Sequence, residues 1–121
     1  MNRALLIIGH GSKSEAAVRT FHQIVEHTRA ISAYAAVAGA CMELSPPTIE
    51  QAVAEIASRH IDEIVVVPYF LYEGTHIRQD IPAKIRKVEE QYPAIQFRLA
   101  RPIGFEPLMS ELILKRAEEV I

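Results

Sequence analysis

Four times in 121 residues, a short run of aliphatic and β-branched side chains gives way to a longer stretch whose apolar residues recur every three or four positions. That alternation excludes most folds. Parallel strands need a crossover between them, the crossover is a helix, and helices on both faces then bury the sheet. Strands are predicted at 4–8, 35–42, 63–69 and 96–100, the alanine-rich second run carrying the weakest pattern. Ala17, Phe21, Ile24, Thr28 and Ile31 form one helical stripe, and Ile49, Ala52, Val53, Ile56 and His60 a second. The second helix starts either at Ser45 with Pro46 in its first turn, or at Thr48 with Gln51 as a capping box. Pro82 suits the first turn of a third helix capped by Asp80 and running to about Tyr92, and an amphipathic segment at 107–120 ends the sequence. The expected fold is α/β: a small doubly wound four-stranded parallel sheet with helices on both faces, in a single domain over residues 1–121.

Composition narrows the function classes. Half of the residues are hydrophobic and 23% are charged, as in globular domains. The formal net charge is -2 and the basic residues are scattered, which argues against nucleic-acid binding. No apolar run approaches the roughly 18 residues of a membrane span. The opening MNRALLIIGHGS reads as a first strand rather than a signal peptide. A single cysteine, Cys41, excludes an internal disulfide framework and agrees with a reducing, cytoplasmic compartment.

Doubly wound sheets bind ligands beyond the carboxyl ends of their strands, so the residues that follow each strand matter most. His10 follows the first, Glu43 the second and His76 the third, each 33 residues from the last. Imidazole and carboxylate suit divalent iron, cobalt, nickel or zinc, and three ligands leave coordination positions open for exchange. Gly9 and Gly11 around His10 fit a tight strand-to-helix turn or the close approach of a ligand. His76, in EGTHIRQD, falls near a helix amino end, where the dipole favours neutral imidazole. His22 and His27 fall off the apolar stripe of the first helix and read as solvated, and His60 reads as a structural residue at a helix carboxyl end.

Two familiar mechanisms fail on GHGSKS. A P-loop needs a glycine immediately before its lysine, and Lys13 has none. Ser12 lacks a well-placed base, since His10 lies two residues earlier on the same turn. Around the three candidates lies material for a large, flat anionic ligand. PYFLYEG at 68–74 carries Tyr69, Phe70, Leu71 and Tyr72 out of the sheet, while Lys13, Arg78 and Lys84 offer charge-assisted hydrogen bonds to carboxylates.

In this order, LLIIGHGS, CMELSPPTIEQAV, IVVVPYFLYEGTHIRQDIP and ARPIGFEP resemble the small sirohydrochlorin chelatases of the CbiX and SirB type over nearly the whole chain. The resemblance implies a lyase that inserts Co2+ or Fe2+ into sirohydrochlorin for cobalamin or siroheme synthesis, with Ni2+ used in a related branch. The metal is then a substrate, and no permanent cofactor is implied. It further implies that His10 and His76 bind the metal, with Glu43 as their acidic partner, and that these three carry the catalysis. Lys13, Tyr72 and Arg78 are the substrate-binding candidates. A single domain resembles the short, dimerising form of the family, or one half of a long form with two copies. Lys13 replaces the arginine that commonly follows GHGS, and no histidine-rich insertion is present. A noncatalytic metal- or tetrapyrrole-binding module, or a phosphate-binding regulator, are the alternatives from other classes.

Overall fold

A computed structural model describes residues 1–72 and 74–121, with the side chain of His76 also outside the description. Four strands, β1 (Arg3–Gly9), β2 (Ala36–Cys41), β3 (Glu63–Pro68) and β4 (Gln96–Leu99), alternate with four helices, α1 (Glu15–Ile31), α2 (Ile49–Ala57), α3 (Thr75–Gln91) and α4 (Pro107–Glu118). All strand pairings are parallel, in the order β2-β1-β3-β4. The chain leaves β1 toward β2, then returns past β1 to β3. The topological switch point therefore lies between the carboxyl ends of β1 and β3.

The two faces of the sheet hold separate cores. On one, Leu6, Ile8, Ile64 and Val66 pack beneath Ile49, Val53 and Ile56 of α2 and Ile81, Ile85 and Val88 of α3. Each such side chain contributes roughly 1.5–3 kcal/mol by leaving water. On the other, Leu5, Ile7 and Val37 meet Phe21 and Val25 of α1, with Val65, Val67 and Tyr69 at the edge. Among the described residues no helix is long and apolar enough to cross a membrane.

Three helices depart from the expectation. In α1 the buried residue is Val25, while Ala17 and Ile31 are exposed. The sheet decides this: a Cβ on Gly39 would lie 2.8 Å from Val25 and one on Gly9 would lie 2.9 Å from Phe21, so the glycines form the depression that receives these two side chains. The second helix takes the capping-box alternative, with reciprocal bonds between Thr48 and Gln51 of 2.9 and 3.1 Å. It ends at Ala57, so His60 lies past the helix in a left-handed conformation (φ +57°), and its carbonyl accepts from Asn2 Nδ2. Finally, α3 begins at Thr75, seven residues before Pro82, and Asp80 lies inside it rather than capping it. Proline forfeits one intrahelical bond, but burial of Ile81, Ile85 and Val88 offsets the loss.

Glu63, at the start of β3, is 1% exposed and is bonded by both Arg3 of β1 and Arg98 of β4, the latter at 2.7 Å. The Arg98 guanidinium, assisted by Arg3, holds the carboxyl below its usual range against the opposing effect of burial. At the other extreme, α4 buries no residue, and Leu108, Leu112, Ile113 and Leu114 stand exposed along it.

Candidate metal centre

The first two strands end in a continued embrace. Beyond β1 and β2, Met42 N donates to Gly9 O at 2.9 Å and Glu43 N donates to His10 O at 3.1 Å. The parallel pairing thus extends one step into the loops and sets His10 beside Glu43. Gly11 makes this possible. It adopts φ +97°, and a Cβ there would lie 1.8 Å from the Glu43 carbonyl oxygen, so both conformation and space require glycine. Leu44 follows with φ +73°, and Ser45 N closes a tight turn onto Glu43 O at 2.9 Å. A positive φ on a leucine is a strained arrangement, here beside the candidate carboxylate.

Backbone register becomes side-chain chemistry at this point. His10 Nε2 lies 3.0 Å from Glu43 Oε1, with the two side chains 49% and 53% exposed. Nδ1 of the same ring is 3.3 Å from Gly11 O. A neutral imidazole carries one proton, so it can donate to the carboxylate or to the carbonyl, but not to both. A cation that takes the place of the Nε2 proton leaves Nδ1–H to donate to Gly11 O, and such a bond orients metal-binding histidines. Donor atoms each about 2.1 Å from a divalent cation and at right angles would stand about 3.0 Å apart. The observed separation matches one edge of such a coordination sphere.

His76 falls in the first turn of α3, behind the carboxyl end of β3, as the sequence led us to expect. Its side chain lies outside the described residues, and among those described no group of three histidine, cysteine or acidic side chains surrounds a common point. Next to His10 opens a pocket of about 200 Å³, lined by Gly11, Ser12, Val18, Phe21, Cys41 and Tyr69 among others. Phe21 and Tyr69 approach at 6.1 Å between ring centres. Tyr69 and Phe70 thus enter the cores, while Leu71 and Tyr72 project outward, Tyr72 with 83% of its surface exposed.

The remaining candidates are dispersed. Lys13 is exposed in the turn after β1. Arg78 lines a smaller pocket of about 160 Å³ with Pro68, Ala100 and Pro102, on the β4 side of the switch point. Lys84 sits nine residues into α3, about 13 Å along its axis from the rim. Ser12 is structural: its hydroxyl accepts from Ser14 N and its amide donates to Ser45 Oγ. Sequence reasoning missed Ser45, whose hydroxyl ties the two loops together and contacts Cys41 Sγ at 3.5 Å. A hydroxyl 33 residues from its partner leaves no sequence signal.

Comparison with known proteins identifies the family and the fold. The sirohydrochlorin cobaltochelatase of Methanosarcina acetivorans is 32% identical over 97% of this chain and 95% of its own length. The sirohydrochlorin ferrochelatase of Bacillus subtilis is 28% identical over 99% of this chain and 46% of its own. The cobalt complex of the sirohydrochlorin chelatase SirB from Bacillus subtilis subspecies spizizenii superposes with a TM-score of 0.92 at 28% identity, over 99% of this chain and 51% of that one. The CbiX family model matches residues 4–120. With nearly every residue of the sheet, its helices and the His10–Glu43 rim inside that match, this chain belongs to the CbiX family.

Proposed function

We propose that this protein inserts divalent cobalt or iron into sirohydrochlorin. The observation that carries the reading is the 3.0 Å approach of His10 to Glu43 at the carboxyl ends of β1 and β2, beside the topological switch point. Relatives named as cobaltochelatase and ferrochelatase, and a cobalt-bound structural neighbour, support the choice of ring and metals.

Insertion requires loosening the water around the ion, removing two pyrrole protons and bringing the ring nitrogens to the metal. His10 and Glu43 replace part of the hydration shell while leaving the ion's outward side open. His76, in the first turn of α3, is the third ligand that the resemblance implies. As the metal passes to the ring, the vacated imidazole and carboxylate become acceptors for the pyrrole protons. Tyr72 and Leu71 offer apolar cover for a ring face, and Lys13 and Arg78 offer charge to its carboxylates.

A second copy of the chain completes the cleft. Apolar residues left exposed along α4 favour such a partner, as does a structural neighbour about twice as long, half of which matches this chain. The buried free cysteine fits a cytoplasmic setting.

The decisive test follows sirohydrochlorin absorbance with excess ring and metal, comparing Co(II), Fe(II) and Ni(II). Many insertions per protein molecule are expected. Stoichiometric uptake that stops after one event would identify a carrier instead.

A further inference from the structure

The polar face of α1 does more than meet water. Glu15, Val18, Arg19 and His22 follow one another at the i, i+3, i+4, i+7 spacing that places side chains on one stripe. That stripe forms one wall of an open groove of about 490 Å³, with Ser45 and Pro46 opposite and Lys13 also in its lining. Val18 and Ser45 also line the pocket that reaches His10. Groove and pocket are therefore continuous.

Charge is distributed unevenly in this groove. Among the described residues Lys13 and Arg19 form no ion pair, whereas three exposed arginines elsewhere are engaged: Arg29 with Glu26, Arg59 with Glu55, Arg116 with Glu119. His22 lies 3.8 Å from Glu26, and Glu15 contributes the lining's carboxylate. Two uncommitted cations thus flank the apolar Val18 and Pro46. Such a surface fits a ligand with a flat apolar body and acidic arms. An arginine with no internal partner can grip a carboxylate in two-pronged fashion without first giving up a bond.

We infer that Arg19 is a specificity-determining residue, which holds a carboxylate arm of the tetrapyrrole in the groove between α1 and Ser45–Pro46. Lys13 shares the anion, and Val18 supports the apolar edge that leads toward His10. This inference rests on the chelatase reading for the identity of the ring.

The test is a titration of metal-free protein with sirohydrochlorin, followed by absorbance at low and high salt. Arg19→Ala is expected to weaken binding on the order of fivefold and Arg19→Glu further, with the difference shrinking at high salt. Arg19→Lys should retain most of the affinity, and the remote control Arg59→Glu should bind like the parent. In turnover, KM for the ring should rise while kcat changes little. A methyl-esterified ring should bind parent and Arg19→Glu alike. Unchanged ring binding by Arg19→Glu would overturn the inference, as would an equal loss in Arg59→Glu or a difference that survives esterification. If the parent binds ring but inserts no metal, the chelatase reading falls and the titration still decides the role of Arg19. If the parent binds no ring, the groove assignment falls as well.

Discussion

A methyl group on Gly11 would come within 1.8 Å of the Glu43 carbonyl oxygen. Two loops more than thirty residues apart are packed so closely that one hydrogen atom is the largest side chain the contact admits. Gly11→Ala should therefore separate the loops, destabilising the fold by roughly 2–4 kcal/mol through strain at a positive φ and the displaced backbone. Metal insertion should be lost with it. Urea unfolding and the absorbance assay on the same preparation would check both effects.

His10→Ala should abolish insertion, by two orders of magnitude or more, with little change in melting temperature. Half of the side chain is exposed and no core residue leans on it. Glu43→Gln should slow insertion more than it weakens ring binding, since the amide cannot accept a pyrrole proton. Retained activity in both variants would remove the pair from the chemistry.

Glu63 gives the stability a defined acid limb. Its carboxyl is held below the ordinary value near 4.5 by Arg98 and then Arg3. A depressed folded-state pKa adds stability that is fully present above the unfolded value and is lost as pH falls through the folded one. Thermal melts between pH 6 and 2 should show stability declining from about pH 4.5 downward. In Glu63→Gln that limb should flatten. The same variant should lower the neutral-pH melting temperature more than Glu55→Gln, which removes an exposed pair.

Thr48→Ala removes a cap whose hydroxyl accepts from Gln51 N at 3.1 Å. The expected cost is about 1 kcal/mol, read as a lower urea midpoint with an unchanged slope. Insertion kinetics should be unaffected at temperatures where the protein is folded.

Leu112→Glu places a charge on the exposed apolar flank of α4. Where a second copy covers that flank, sedimentation should shift from dimer toward monomer and turnover should fall with it. An unchanged sedimentation profile would separate α4 from assembly.

The strands β1 and β3 were legible because their buried runs are aliphatic, and the capping box of α2 was legible because both of its side chains are local. The start of α3 was not. Gly74 offers no capping side chain, and Pro82 resembles a beginning although it lies mid-helix. The stripe of α1 was legible at Phe21, Ile24 and Thr28, which are half-buried, but its ends Ala17 and Ile31 are exposed and Val25 was missed, because the glycine that receives it, Gly39 of β2, is distant in sequence. At the rim, equal spacing pointed to His10 and Glu43, but nothing local announced that Gly11 fixes their separation. Glu63 also escaped notice, although Arg3 and Arg98 flank it on neighbouring strands.

Main-chain bonds between the loops, rather than packing of the donor side chains, fix where His10 and Glu43 stand. The scaffold therefore specifies sockets and leaves the plugs exchangeable. If His10 and Glu43 hold the ion as proposed, replacing Glu43 with aspartate or histidine should retune which ion is accepted while the domain folds as before, and metal preference can then drift faster than shape.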